Sequence, residues 1–208
     1  MLAPSERSAG VSLLAGHTVL ALDTETTGMS PVEGHRLVEV ARVAIVDGVL
    51  GEEWSSLVDP GRAIPADAAR VHGISDAMVA GAPRAPEVGR LLRAACADLP
   101  LVFHNAPFDL PFLLHLFREA GAPALLNPII DTLGLSRGLF GPGSKSLGAL
   151  AAKLNLPVET AHRALGDTRT TARLFVELAG RWEQEKGIHS LLELAAVSQD
   201  LMRATARR

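Results

Sequence analysis

The chain has 208 residues, enough for one sizeable core, and its 48% apolar and 21% charged content excludes a disordered or fibrous protein. A net charge of −3 excludes a strongly basic clamp on long duplexes, although a carboxylate site that takes up cations can serve nucleic acid from an acidic chain. The single cysteine, Cys96, excludes an internal disulfide and a multi-cysteine metal site. No apolar run reaches the roughly 18 residues of a bilayer span, so a cytoplasmic protein with no membrane partner is expected.

Residues 1–16 carry only a short apolar patch around Val11 to Leu14, a poor signal peptide, and are expected to be a flexible leader. Residues 18–23, T-V-L-A-L-D, read as a short apolar strand. A second strand spans 37–47, Asp47-Gly48 signals a hairpin turn, and a third strand spans 49–58. The Pro- and Gly-rich stretch 60–86 should be loops with short helical pieces. A helix over 87–99 is predicted from Val88, Leu91, Leu92 and Ala95 on one face. A buried strand at 101–104 leads into a helix over about 107–120, with Pro107 well placed at its start. Ile129 and Ile130 form a brief strand ending at Asp131, and 138–144 is a Gly-rich loop without phosphate-loop spacing. Helices follow at about 146–154 and 164–186, and the capping pair Ser190 and Glu193 starts a final helix reaching about Met202. Strands first, then alternating strands and helices, point to an α/β sheet of mixed direction. The division expected is a leader at 1–16, one domain at 17–186, and a helical appendage at 187–208. That appendage either packs on its own domain or presents an apolar face to a partner.

Three short motifs carry chemistry. In Asp23-Thr24-Glu25-Thr26-Thr27-Gly28, the two acids are two apart near a strand end and so share a face. Adjacent carboxylates repel unless a cation lies between them, and hard oxygen donors suit Mg²⁺ or Mn²⁺. A bare D-x-E, taken alone, reads more readily as a solvated turn after a strand. In His104-Asn105-Ala106-Pro107-Phe108-Asp109, Asp109 falls in the first turn of a helix, where an acid also favours the dipole. Asn105 is suited to tying down loop backbone, and Phe108 to the core or the site wall. In His162-Arg163-Ala164-Leu165-Gly166-Asp167, Asp167 lies near the start of the long helix with His162 on its approach.

Taken in order, D-x-E, H-N-x-x-F-D and H-x-x-x-x-D resemble the DEDD 3′→5′ exonucleases, in the subclass whose third motif carries His. Val71-His72-Gly73-Ile74-Ser75 is similar to a segment of the proofreading epsilon subunit of bacterial DNA polymerase III and its relatives. The resemblance spans about residues 18–182. It implies a ribonuclease-H-like α/β exonuclease fold, a five-stranded mixed sheet flanked by helices. It also implies metal ligation by Asp23, Glu25, Asp109 and Asp167, two divalent ions (Mg²⁺ or Mn²⁺), and His162 as general base on the attacking water. An imidazole titrates near neutrality, so activity should fall in acid. Thr26, Thr27, Met29, Asp67, Val71 and His72 are implied to hold the terminal nucleotide, Met29 and Val71 as an apolar platform for the base. His104, Asn105 and Phe108 complete the expected substrate contacts. The expected partner is a single-stranded or frayed 3′ end of DNA, with RNA as second candidate and a DNA polymerase subunit as a further one. The alternatives are an RNA-processing exoribonuclease, a non-catalytic binding module, and an accessory subunit that chiefly holds a polymerase.

Overall fold

A computed structural model of the protein describes residues 12–141, 143–157, 159 and 162–206. The first eleven residues of the expected leader, Pro142 of the Gly-rich loop and the last two residues of the appendage lie outside that set. Strand β1 (Thr18–Thr26) pairs antiparallel with β2 (Leu37–Val46), which returns as β3 (Val49–Leu57). The hairpin turn has Asp47 at φ 53° and Gly48 at φ 78°; two left-handed residues match the twist of the flanking strands. The helices α1 (Ala66–His72), α2 (Asp76–Val79) and α3 (Ala85–Cys96) lead to β4 (Leu101–Phe103), and α4 (Ala106–Glu119) leads to β5 (Ile129–Asp131). Both β4 and β5 run parallel to β1, giving one five-stranded mixed sheet in the order β3-β2-β1-β4-β5. Four helices close the chain: α5 (Thr132–Leu139), α6 (Leu147–Lys153), α7 (Ala164–Lys186) and α8 (Leu191–Ala206).

Strand alternation sorts the core into two layers. Val19, Ala21, Val43 and Ile45 pack with Leu174, Phe175 and Leu178 of α7. Leu20, Leu22 and Val40 face the other way, onto Val88 and Leu92 of α3 and Phe112, Leu113 and Leu116 of α4. Every position on β1 thus belongs either to the α7 layer or to the α3/α4 layer, and this decides where its polar residues point.

The structure departs from the sequence-based expectations at several places, among them the helix Thr132–Leu139, which takes in the first two residues of the expected Gly-rich loop. β1 continues three residues past Asp23, because β2 runs beside it as far as the pairing of Thr26 with Leu37. Leu91, expected in the core, is exposed, since the buried stripe of α3 runs through Val88, Gly89, Leu92 and Cys96. Within the expected leader, residues 12–14 form a 3-10 turn that buries Leu13 and Leu14 against the α7 layer. Of the two readings of the C-terminal segment, packing on its own domain is the one observed: Leu191, Leu194 and Ala195 of α8 are buried with α5, α7 and β5.

Helix α8 also covers the sheet's last strand. The backbone N–H of Asp131 donates to Ser198 Oγ at 3.1 Å, and Gln199 Nε2 donates to the carbonyl of Ile129 at 3.3 Å. These bonds occupy groups of an edge strand that would otherwise invite pairing. Close approach is allowed by Gly134 of α5, where a Cβ would run into the carbonyl of Ser198.

Candidate active site

Asp23 and Glu25 follow Val19 and Ala21 in the alternation, so they face the α7 layer. There α7 crosses β1 and β2 with Asp167 in its first turn. His162 precedes the helix in a left-handed conformation (φ 59°), and its backbone N–H donates to Asp167 Oδ2 at 2.9 Å. A ring nitrogen of His162 and carboxylate oxygens of Glu25 and Asp167 all lie within 4.8 Å of one another.

Asp109 arrives from the opposite layer. β4 ends at Phe103, having paired only with Leu20 and Ala21, so the edge of β1 beyond Leu22 is open on that side. The chain turns there through Asn105 at φ 74°, a conformation asparagine tolerates, and enters α4. Asp109 is buried and accepts a 2.7 Å hydrogen bond from Thr24 Oγ1. Thr24 lies between the two acids and therefore faces α4, and its hydroxyl ties β1 to α4 beside the site.

The electrostatics ask for a cation. Burial pushes the Asp23 carboxyl well above the ordinary range, and the charges of Asp109, Glu25, Asp167 and Glu39 push it further. Glu25 is raised to about 8, by burial first and then by Asp167 and Glu39. Asp109 is raised by burial against the opposing hydrogen bond from Thr24. Asp167 is raised by burial and held back by the His162 N–H and ring. A group of carboxylates each disfavoured as an anion, with hard oxygen donors and one imidazole, fits a divalent metal ion.

Beside the acids lies an open cleft of about 590 Å³ lined by Glu25, Thr26, Gly28, Met29, Asp67, Ala68, Val71, His72 and Phe108. Met29 is 74% exposed and Val71 56%, unusual for large apolar side chains and suited to a platform. His72 is buried, and its Nδ1 accepts the Ile74 N–H at 3.0 Å, so the neutral ring carries its proton on Nε2. That Nε2 has no aligned partner, and burial lowers the ring's pKa against the pull of the Thr26 carbonyl. Gly28 is required by close approach: a Cβ there would run into the ring of His35.

Three expected substrate contacts are placed outside the cleft lining. Thr27 Oγ1 accepts the Arg36 N–H at 2.9 Å and lies 3.3 Å from His35 Nδ1, so it shapes the loop from within. His104 has both ring nitrogens engaged, with Thr132 Oγ1 at 2.8 Å and the Lys145 carbonyl at 3.0 Å. Asn105 serves through its backbone: its N–H donates to Asp131 Oδ1 at 3.1 Å, beside the Ala106 N–H on Oδ2 at 2.9 Å. Sequence reasoning passed over Thr24 and Asp131. The signal for Thr24 was its alternation against two acids; for Asp131, an acid ending a strand just before a helix. Asp131 caps α5 through the Leu133 and Gly134 N–H groups and also fixes the turn into α4.

Comparison with known proteins agrees with this geometry. The Exonuclease (RNase_T) family profile matches residues 20–175. A DNA polymerase III subunit epsilon-like protein of Rhodobacter capsulatus is 46% identical over 166 residues, covering 77% of this chain and 23% of that protein. The DNA polymerase III subunit epsilon of Rickettsia felis is 39% identical over 169 residues, covering 77% of this chain and 73% of that one. The chain therefore spans about a quarter of the first relative and about three quarters of the second. A structure of exonuclease X in complex with 5′ overhanging duplex DNA matches with a TM-score of 0.68 and 29% identity, over 86% of this chain and 99% of that one. E. coli exonuclease I in complex with a dA16 oligonucleotide shares the fold at TM-score 0.69 and 16% identity, over 82% of this chain and 42% of that one. The sheet and its flanking helices thus define the ribonuclease-H-like exonuclease class. Within that class, the chain belongs to the RNase_T exonuclease family, alongside relatives of the DNA polymerase III epsilon kind.

Proposed function

We propose that this chain is a divalent-metal-dependent 3′→5′ exonuclease that releases nucleoside monophosphates from DNA 3′ ends, in proofreading or repair. One observation carries the reading: Glu25, Asp167 and His162 cluster at β1, Asp23 and Asp109 lie within electrostatic reach of one another and of Glu25, and an apolar, partly exposed cleft adjoins them. Asp23, Glu25, Asp109 and Asp167 would hold two ions, Mg²⁺ or Mn²⁺. Bound there, the ions would neutralise charge on the phosphoryl group and acidify the attacking water. His162, exposed and within reach of Glu25 and Asp167, takes the proton of that water on a ring nitrogen. Met29 and Val71 stack the terminal base without reading its identity, and His72 offers its Nε2–H to the sugar or base edge. Asp67, exposed in the first turn of α1 and part of the cleft lining, would meet the terminal sugar. The epsilon-named relatives support a DNA substrate and a replication role, which would place the chain in the cytoplasm and beside a polymerase.

The test is to incubate the purified chain with 5′-labelled single-stranded DNA and matched RNA, with Mg²⁺, Mn²⁺ or EDTA, next to Asp23→Ala. Metal-dependent ladders on DNA that vanish in the variant are expected. Ladders on RNA with DNA intact would move the substrate to RNA, and no shortening of either would leave a binding module. Co-purification tests the polymerase separately.

A further inference from the structure

Glu39 is a buried carboxylate that the proposed chemistry does not use, and it sits beside that chemistry. It lies on β2 directly across from Glu25 and shares its face of the sheet. Its Oε2 accepts from Arg163 Nε at 3.1 Å and from the Ala164 N–H at 2.9 Å, while Oε1 accepts from Arg163 Nη2 at 2.8 Å. Two parallel N–H bonds from a guanidinium fix direction as well as distance. The pair ties the sheet to the two residues that immediately follow His162 in the chain.

Among the described residues, little else holds His162. Its side chain is exposed, its backbone is in the left-handed region, and its N–H bond goes to Asp167, which belongs to the same segment. We propose that Glu39 and Arg163 form a positioning clamp that holds the His162 backbone, and so its imidazole, in register with Glu25 on β1. The clamp rests on the reading of His162 as the base. Neither clamp residue touches the reacting atoms; besides the charges they present to Asp23 and Glu25, both act through His162. Helix α7 has a second link to the sheet, Arg169 to Glu53 of β3 at 2.6 Å, whose carboxylate is more exposed than that of Glu39 and which does not reach His162. A role in merely docking α7 would be shared by both links, whereas a positioning role belongs to Glu39 and Arg163 alone.

The experiment compares the full chain with Arg163→Gln, Arg163→Lys, Glu39→Gln, the Arg163→Gln/Glu39→Gln double variant, and Arg169→Gln. Steady-state kinetics on single-stranded DNA with Mg²⁺ should show kcat down by ~10²-fold in Arg163→Gln, the scale of a catalytic group displaced by about an ångström, with KM little changed. Arg163→Lys should recover much of that loss, the double variant should lose no more than the worse single, and Arg169→Gln should keep its kcat. Raised KM at constant kcat, single losses that multiply, or an equal loss in Arg169→Gln would each overturn the clamp. Should Glu39→Gln fail to fold, the partly exposed Arg163 variants still decide the matter. A readout free of activity is amide exchange at His162 and Ala164, which should accelerate in Arg163→Gln while that of Ile130 in β5 is unchanged. Unchanged exchange at 162 and 164 would also overturn it. If the wild-type chain shortens neither DNA nor RNA, the exonuclease reading fails, and the exchange measurement alone judges the clamp.

Discussion

Thr24 and Asp23 are neighbours on one strand and serve opposite layers of the protein. Asp23 turns to α7 and is disfavoured as an anion; Thr24 turns to α4 and donates to buried Asp109. Removing the hydroxyl with Thr24→Val leaves Asp109 without that donor. Because an unsatisfied buried acceptor costs about 1–3 kcal/mol, urea unfolding in EDTA should show a loss of that order. An unchanged midpoint would mean that Asp109 finds another donor. Asp23→Asn should act in the other direction on stability, since it removes a carboxyl whose ionisation burial and its neighbours oppose. In EDTA at pH 8 its Tm should exceed that of the unmodified chain by at least ~3 °C, while exonuclease activity falls by ~10³-fold or more. A lower Tm for Asp23→Asn would show that the carboxylate is held by favourable contacts instead.

Helix α8 shows why an element's role is decided by what it covers. Its capping signal and apolar positions predict a helix, and Ser190 Oγ does accept the Glu193 N–H at 3.2 Å. Nothing in those residues says that Ser198 and Gln199 meet β5, or that Gly134 lets the two helices touch. Gly134→Ala should force α5 and α8 apart and lower stability by about 1–3 kcal/mol, as overpacking does. Amide exchange at Asp131, whose N–H depends on Ser198, should rise in the same variant. Full stability in Gly134→Ala would mean that α8 docks more loosely than this geometry requires.

At the scale of the whole molecule, the acid cluster couples folding to pH. An unfolded glutamate titrates near about 4.3, whereas Glu25 in the fold titrates near about 8. Between those values the folded state binds more protons than the unfolded one, so stability declines as pH rises. The contribution is complete below the unfolded value and is lost as pH passes the folded one, and the raised pKa values of Asp23, Asp109 and Asp167 act in the same sense. In EDTA, Tm should therefore fall between about pH 5 and pH 8. Ions that bind only the folded state should reverse this, with Mg²⁺ or Mn²⁺ raising Tm more at pH 8 than at pH 5. A metal-free Tm that rises over that range would contradict the electrostatic picture of the site.

The strands, the hairpin at Asp47-Gly48, the long helix Ala164–Lys186 and the order of the acidic motifs were all legible in the sequence. These depend on neighbours in the chain: turn residues, apolar periodicity, capping pairs and short motifs carry their meaning locally. The tertiary structure decided which layer each polar residue serves. It turned Thr27 and His104 inward, engaged Asn105 through its backbone N–H, brought Asp131 and Thr24 to support the site, and set Glu39 against Arg163. Those contacts join residues far apart in sequence, and their partners are chosen by strand pairing and layer packing, which no local pattern encodes.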